Sequence, residues 1–343
     1  MPAVGYVYDP LYLEHDVQGH SESAGRLRAI KSHLDESGLL GGMTHLEARD
    51  ATEEDLRLVH NAELVERVRQ TAGRDLDWLD LDTYAGASSY AAGLRSAGGV
   101  LSAVDVVLEQ ELVSAFCLVR PPGHHATPEH AMGFCLFNNV AIAAKHLLER
   151  KGLERVAILD IDVHHGNGTQ DAFYDDPRLL YFSTHQYPFY PGTGNLQETG
   201  AGDAAGTNVN VPLQRGCGDE EYARVWDEIG VPVVQRFRPQ MILVSAGFDA
   251  HHADPLAQEM LSARGYYDIA TVINGLADDL CGGNVVYALE GGYDLTALSW
   301  SVRACIDTLL GNDFAPDPVG AAPNVQRPDI DGLIVAVQGA HGL

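Results

Sequence analysis

Short apolar runs recur along the chain, and they are unbroken rather than alternating. They are Ala115–Val119, Val156–Asp160, Leu179–Ser183, Val209–Pro212, Met241–Ser245 and Val285–Leu289. Continuous hydrophobicity over so few residues suits strands covered on both faces, as in a parallel sheet. Helical patterns lie between them. Ser88–Glu109 is long and Ala-rich, and Asn139–Arg150 is amphipathic and ends in basic residues, which a helix C-terminus favours. Gly218–Phe237, Ser262–Leu280 and Leu295–Leu310 read similarly. Strand alternating with helix predicts a single α/β domain with a central, mostly parallel sheet flanked by helices. No internal repeat or low-complexity linker divides residues 1–343. The core spans about residues 1–311. From Asn312 the chain is rich in Pro and Gly before a last apolar stretch, Gly332–Val337, and is expected to wrap the surface of that core.

Polar residues collect where these strands stop. The first run leads into Arg120-Pro121-Pro122-Gly123-His124-His125, and the second into Asp162-Val163-His164-His165-Gly166-Asn167. The 241–245 run leads into Gly247-Phe248-Asp249, and the 285–289 run into Glu290-Gly291-Gly292-Tyr293. Open α/β sheets bind ligands beyond the carboxyl ends of their strands. Four strand ends of this kind predict one shared crevice.

Charge narrows the partners. Asp and Glu number 48 against 22 Lys and Arg, a formal net charge of −26. Such a chain repels a phosphate backbone, so no nucleic-acid partner is expected. No run of ~18 uninterrupted apolar residues is present, and the N-terminal MPAVGYVYDPLYLEHD lacks a signal-peptide pattern, so the expectation is a cytoplasmic protein with no membrane partner. The five cysteines (117, 135, 217, 281, 305) form no CxxC pair. They read as reduced thiols, and any metal site must draw on His, Asp or Glu.

Asp162 and His164 are two residues apart and so face the same side of an extended segment. With Asp249 from another strand end they make a plausible three-ligand set for a catalytic zinc that keeps one position open. A lone DxH is common in proteins; the second acid and the His-His pair at other strand ends are what raise its weight. His124 and His125 follow a rigid Pro-Pro-Gly, and each needs a partner on its second ring nitrogen. Asp160 and Asn167 flank the DxH segment and could serve. An acid partner raises an imidazole pKa more than a neutral amide does, so the two histidines could differ in protonation. Tyr293, after two glycines, could donate a hydrogen bond to a developing oxyanion. Gly133-Phe134 and Tyr190 sit in loops after the same edge and could line a slot for an aliphatic chain.

Taken together, RPPGHHA (120–126), GFCLFNN (133–139), LDIDVHHGNGTQ (159–170), YPGTG (190–194), SAGFDA (245–250) and LEGGYDL (289–295) resemble the zinc-dependent histone deacetylase family. That family includes bacterial deacetylase-like amidohydrolases and acetylpolyamine amidohydrolases. The motifs stand in family order, and SAGFDA, LEGGY and Asn167 are written as in its class II branch. The resemblance implies hydrolysis of a linear amide C–N bond. Zinc would be held by Asp162, His164 and Asp249. The tandem histidines would be His124, with Asp160 behind it, and His125, with Asn167 behind it. His125 is favoured as the base. Tyr293 would polarise the acyl carbonyl; relatives with His there are nearly inactive as deacetylases. Phe134 and Tyr190 would wall an acyl-lysine channel beside Gly133. A structural potassium would match Asp160, Asp162, His164, Ser183 and Thr184.

The chain departs from the class II pattern HPExPxRL in its N-terminal loop, which reads His20-Ser21-Glu22-Ser23-Ala24-Gly25-Arg26-Leu27. Both prolines are lost in a segment that borders the channel mouth, with His20 at the substrate side. Asp254-Pro255 is followed by Leu256, as in acyl-lysine deacetylases, where the polyamine-specific branch carries an acid; Glu259 lies nearby. The implied substrate is thus an acylated lysine in a peptide or protein, with an acylated polyamine as the alternative. Two other readings are an inactive acyl-lysine-binding protein and a binuclear manganese ureohydrolase. Assembly into a homo-oligomer stays open.

Overall fold

The computed structural model describes residues 4–343. Among the described residues ten strands form, β1 (Val4–Val7), β2 (Thr44–Leu46), β3 (Asp77–Trp78), β4 (Tyr84–Ala85), β5 (Ser114–Cys117), β6 (Val156–Asp160), β7 (Leu179–Gln186), β8 (Asn208–Leu213), β9 (Met241–Ala246) and β10 (Val285–Leu289). Eight of them make one sheet in the order β2-β1-β5-β10-β9-β6-β7-β8, and every pairing in it is parallel. β3 and β4 form a separate antiparallel pair.

The helices are α1 (Ala24–Glu36), α2 (Glu53–Leu56), α3 (Ala62–Arg69), α4 (Ser89–Leu108), α5 (Asn139–Glu149), α6 (Asn167–Phe173), α7 (Asp219–Val225), α8 (Val231–Phe237), α9 (Ala263–Cys281), α10 (Leu295–Leu310) and α11 (Asp331–His341). The predicted α/β domain is therefore present, with all six predicted strands in its sheet. β5, β6, β9 and β10 are buried at every position, which explains their unbroken apolar runs. Burying a side chain the size of Val156, Ile158 or Leu159 is worth ~2 kcal/mol.

The central four neighbours of the sheet, β5-β10-β9-β6, are the strands whose ends carry the polar motifs. Their parallel register puts all four carboxyl ends on one edge. Ser114 lies beside Val285, Val285 beside Ile242, and Val156 beside Met241.

One expectation changes. The predicted helix over 218–237 is interrupted by a π turn, Trp226–Gly230. Pro232 has no N–H to offer the Glu228 carbonyl, and the Val231 N–H instead reaches back five residues to the Trp226 carbonyl. The tail beyond Asn312 lies against the core. After an irregular stretch it forms α11, which lies against β8 and buries Ile334 and Val337, three apart on one face.

α4 is long and apolar enough to cross a membrane by length and composition alone, yet 61% of that stretch is buried within the domain. Its glycines permit close packing: a Cβ on Gly98 would lie 2.0 Å from the Arg49 carbonyl oxygen.

Candidate active site and metal centre

Beyond the β5-β10-β9-β6 edge lies a cavity of about 200 Å³. His124, His125, Gly133, Phe134, His164, Tyr190, Leu256 and Tyr293 line it, together with Asp82, Pro122, Cys135, Phe189 and Gly291.

Asp162 and His164, just past β6, meet Asp249, just past β9. One ligand atom from each lies within 4.8 Å of the others. The His164 Nδ1 is 3.1 Å from both Asp162 Oδ1 and Asp249 Oδ2. Backbone amides orient the two carboxylates: Gly291 donates to Asp162 Oδ2 (2.9 Å), and Val163 donates to Asp249 Oδ1 (3.0 Å). Only a glycine fits at position 291, since a Cβ there would lie 2.1 Å from Asp249 Oδ2 and 2.6 Å from Asp162 Oδ2. Burial opposes charge on His164, but the carboxylates, Asp249 foremost, override it and hold the imidazole up at about 10. The two acids thus demand a positive charge between them. A divalent cation supplies it with release of that proton, so this oxygen–nitrogen–oxygen set fits a metal ion.

The tandem histidines sit against different partners. His124 Nδ1 is 3.1 Å from Asp160 Oδ2, which also accepts from the Tyr181 hydroxyl at 3.0 Å. His125 Nδ1 donates to Asn167 Oδ1 at 2.8 Å, the amide being an acceptor only through its oxygen. Their electrostatics diverge accordingly. Burial disfavours charge on His124, but Asp160 and Asp162 outweigh it and bring the ring to about 10. His125 is pushed well below the ordinary histidine value, by burial first and then by the charges on His124 and His164. A proton donor and a neutral base therefore stand side by side, their ring centroids 4.0 Å apart.

Tyr293 lines the same cavity. Burial drives its phenol pKa well above the usual value, which keeps it a hydrogen-bond donor. Phe134 stands edge-on to Tyr293 at 5.9 Å, and Tyr190 stands edge-on to His125 at 5.1 Å. Phe134 holds a left-handed backbone (φ 68°), secured by its N–H donating to Thr83 Oγ1 at 3.0 Å. Gly133 lets it approach: a Cβ there would lie 2.3 Å from the His125 ring.

Leu256 joins the cavity, whereas His20 does not. The His20 ring packs edge-on behind Phe134 at 4.8 Å, and its Nε2 is 3.1 Å from the Asp82 carbonyl. The loop that carries it is anchored from beneath. Glu22 is fully buried and accepts from Arg120 (Nη2, 2.7 Å) and from Arg26 (Nη1, 3.1 Å). Arg26 donates to the Glu290 and Gly292 carbonyls, both at 2.6 Å. At the positions matched to potassium, Asp160 and Ser183 lie side by side on β6 and β7, and the buried Thr184 Oγ1 has no partner among the described residues. Glu259 is buried away from the cavity wall.

Sequence reasoning missed Phe189, which stacks on His164 at 5.4 Å, and also Asp82, Pro122 and Cys135. Phe189 is the immediate neighbour of Tyr190, so the aromatic loop carried a signal for it. Asp82 carried none.

Residues 20–309 match the Histone deacetylase domain. The chain is similar to Histone deacetylase 14, chloroplastic, of Arabidopsis thaliana, at 42% identity over 88% of this chain and 75% of that one. It is 42% identical to a probable deacetylase of Archaeoglobus fulgidus over 91% of this chain and 87% of that one. It is 38% identical to a histone deacetylase-like amidohydrolase of Pseudomonas aeruginosa over 96% and 86%. The crystal structure of the HDA15 HD domain superposes with a TM-score of 0.90 at 35% identity, over 99% of this chain and 94% of that one. With its site motifs, its sheet and its relatives in accord, the chain belongs to the histone deacetylase family and is a hydrolase of its deacetylase and amidohydrolase kind.

Proposed function

We propose that the chain is a zinc-dependent amidohydrolase that removes acetyl or other acyl groups from acyl-lysine side chains. The observation that carries this reading is the split pair, His124 against Asp160 and His125 against Asn167, beside the Asp162–His164–Asp249 group. Those three residues would hold the zinc, which when bound polarises the acyl carbonyl and lowers the pKa of water to about 7. Asp160 and Ser183, with Asp162, His164 and Thr184 around them, would hold a structural potassium.

The aliphatic stem of the lysine would lie between Phe134 and Tyr190, over Gly133. His125, neutral and with its Nε2 free of the Asn167 bond, takes the proton of the attacking water. His124, held protonated, gives a proton to the departing amine. Tyr293 donates its hydroxyl hydrogen to the oxygen of the acyl group as negative charge develops there. The products are a carboxylate and a free amine.

Leu256 in the cavity wall, where an acid would suit a second ammonium, favours acyl-lysine in a peptide or protein. Asp82 in the same wall supports acylated polyamines as the second reading. The test is acetate release by the zinc-loaded chain from acetyl-lysine peptide, trifluoroacetyl-lysine, longer acyl-lysines and acetylated polyamines, with and without a hydroxamate chelator. Hydroxamate-sensitive turnover, fastest on an acyl-lysine, is expected. Binding of acetyl-lysine without release of acetate would replace the enzyme by a binding protein.

A further inference from the structure

Asp254 lies five residues beyond Asp249 and is buried. Its carboxylate accepts three backbone N–H groups from two separate segments. Oδ1 takes Leu256 (2.9 Å), and Oδ2 takes Tyr293 (2.6 Å) and Asp294 (3.3 Å). Sinking a carboxylate into the domain is costly, and three converging amide donors offset that cost. An apolar side chain would fill the same volume without it, so the group's use lies in what it ties together. One partner, Leu256, lines the substrate cavity; the other, Tyr293, carries a phenol that lines it too.

The segment before Tyr293 needs such a tie. Gly291-Gly292 gives it wide backbone freedom, and Gly292 sits at φ 116°, a conformation that side-chain-bearing residues rarely adopt. Arg26 restrains this segment at its carbonyls, from Glu290 and Gly292. Asp254 restrains it from the opposite side, at the N–H of Tyr293 itself.

We propose that Asp254 is a positioning residue that latches the oxyanion donor Tyr293 to the substrate-rim residue Leu256 through a single carboxylate. The inference rests on the role given to Tyr293 above. Asp254 lies outside both the cavity lining and the Asp162–His164–Asp249 group; it acts by fixing where the Tyr293 hydroxyl points, so rim and oxyanion donor keep one geometry.

Asp254→Asn keeps the shape but turns one acceptor into an NH₂ that faces N–H groups. It is expected to lower kcat on an acetyl-lysine peptide about tenfold or more, with KM changed less than about threefold and zinc content unchanged. In the Tyr293→Phe background the same change is expected to cost less than about twofold, because the group it positions is gone. Equal losses in both backgrounds, or a wild-type kcat in Asp254→Asn, overturn the latch. Hydrogen exchange on the unaltered protein tests it without any variant. The Leu256 and Tyr293 amides are expected to exchange slowly, and exchange within seconds at either one overturns the proposal. If the wild-type chain releases no acetate from any acyl-lysine, the functional reading fails while the exchange result still judges the latch. If the wild type turns over and Asp254→Asn keeps its kcat, the latch alone fails.

Discussion

The His125 Nδ1 donates to the Asn167 side-chain oxygen at 2.8 Å, a neutral partner where the adjacent imidazole has a carboxylate. That difference, with burial and two nearby positive charges, keeps His125 unprotonated and fit to act as a base. Asn167→Asp would set a negative charge behind the ring and raise its pKa. The base works in its neutral form, so a raised pKa leaves less of it active at a given pH. The acid limb of the kcat/KM profile is therefore expected to move to higher pH in the variant than in wild type. A profile identical to wild type would remove His125 from the role of base.

The two groups proposed to act on the amide should each lower turnover without disturbing the metal group. Tyr293→Phe deletes only a hydroxyl, and the loss of one oxyanion donor lowers kcat by ~10²–10³-fold. His125→Ala removes the base, at ~10²–10⁴-fold. Neither residue belongs to the Asp162–His164–Asp249 group, so zinc measured by plasma mass spectrometry should stay at wild-type content in both. Full turnover in Tyr293→Phe would end the oxyanion role.

Much of this site is legible along the chain because it is built from strand ends. A strand buried on both faces shows as an unbroken apolar run, and the polar residues that follow it must lie at the sheet edge. That reasoning reaches Asp162, His164, Asp249, both histidines and Tyr293 before any coordinates. The supporting layer is not legible in this way. Arg120 meets Glu22 across 98 positions, and Arg26 meets the Gly292 carbonyl across 266, so these contacts exist only once the sheet has closed. His20 reads as a channel residue from its loop, yet it stands behind Phe134 because its ring is engaged by the Asp82 carbonyl. β1 and β2, at four and three residues, are too short to show a period, and the π turn depends on one missing N–H at Pro232.

Metal removal should be felt in stability as well as in rate. With no cation, Asp162 and Asp249 face one another across His164 and need the imidazole proton to balance them. Dialysis against a chelator is expected to abolish turnover and lower Tm, and restoring one equivalent of Zn²⁺ to recover both with release of a proton, read in a weakly buffered solution. Saturation at one metal per chain fits the three-ligand group. Two manganese ions per chain would contradict it.

Acid should weaken the fold through histidines remote from the metal group. His60 bridges both ends of the loop that carries Gly133 and Phe134: its Nδ1 donates to the Thr127 carbonyl (2.9 Å), and its Nε2 accepts from the Asn138 N–H (2.8 Å). Burial lowers its pKa to about 4, the Thr127 bond resisting only in part. His15 is lowered to about 3, again by burial first, with Glu22 pulling the other way. In the unfolded chain both titrate near ~6.5. Between these limits the unfolded state binds more protons, so stability is full above pH ~6.5 and falls as pH drops, by up to ~1.4 kcal/mol per pH unit for each group. Protonating His60 also breaks its bond from Asn138, so the channel loop should loosen with it. Urea unfolding at pH 7 and pH 5 should show the loss. His60→Gln, which has no proton to gain there, should be less stable at pH 7 but lose less between the two. An equal loss in wild type and variant would place the acid sensitivity elsewhere.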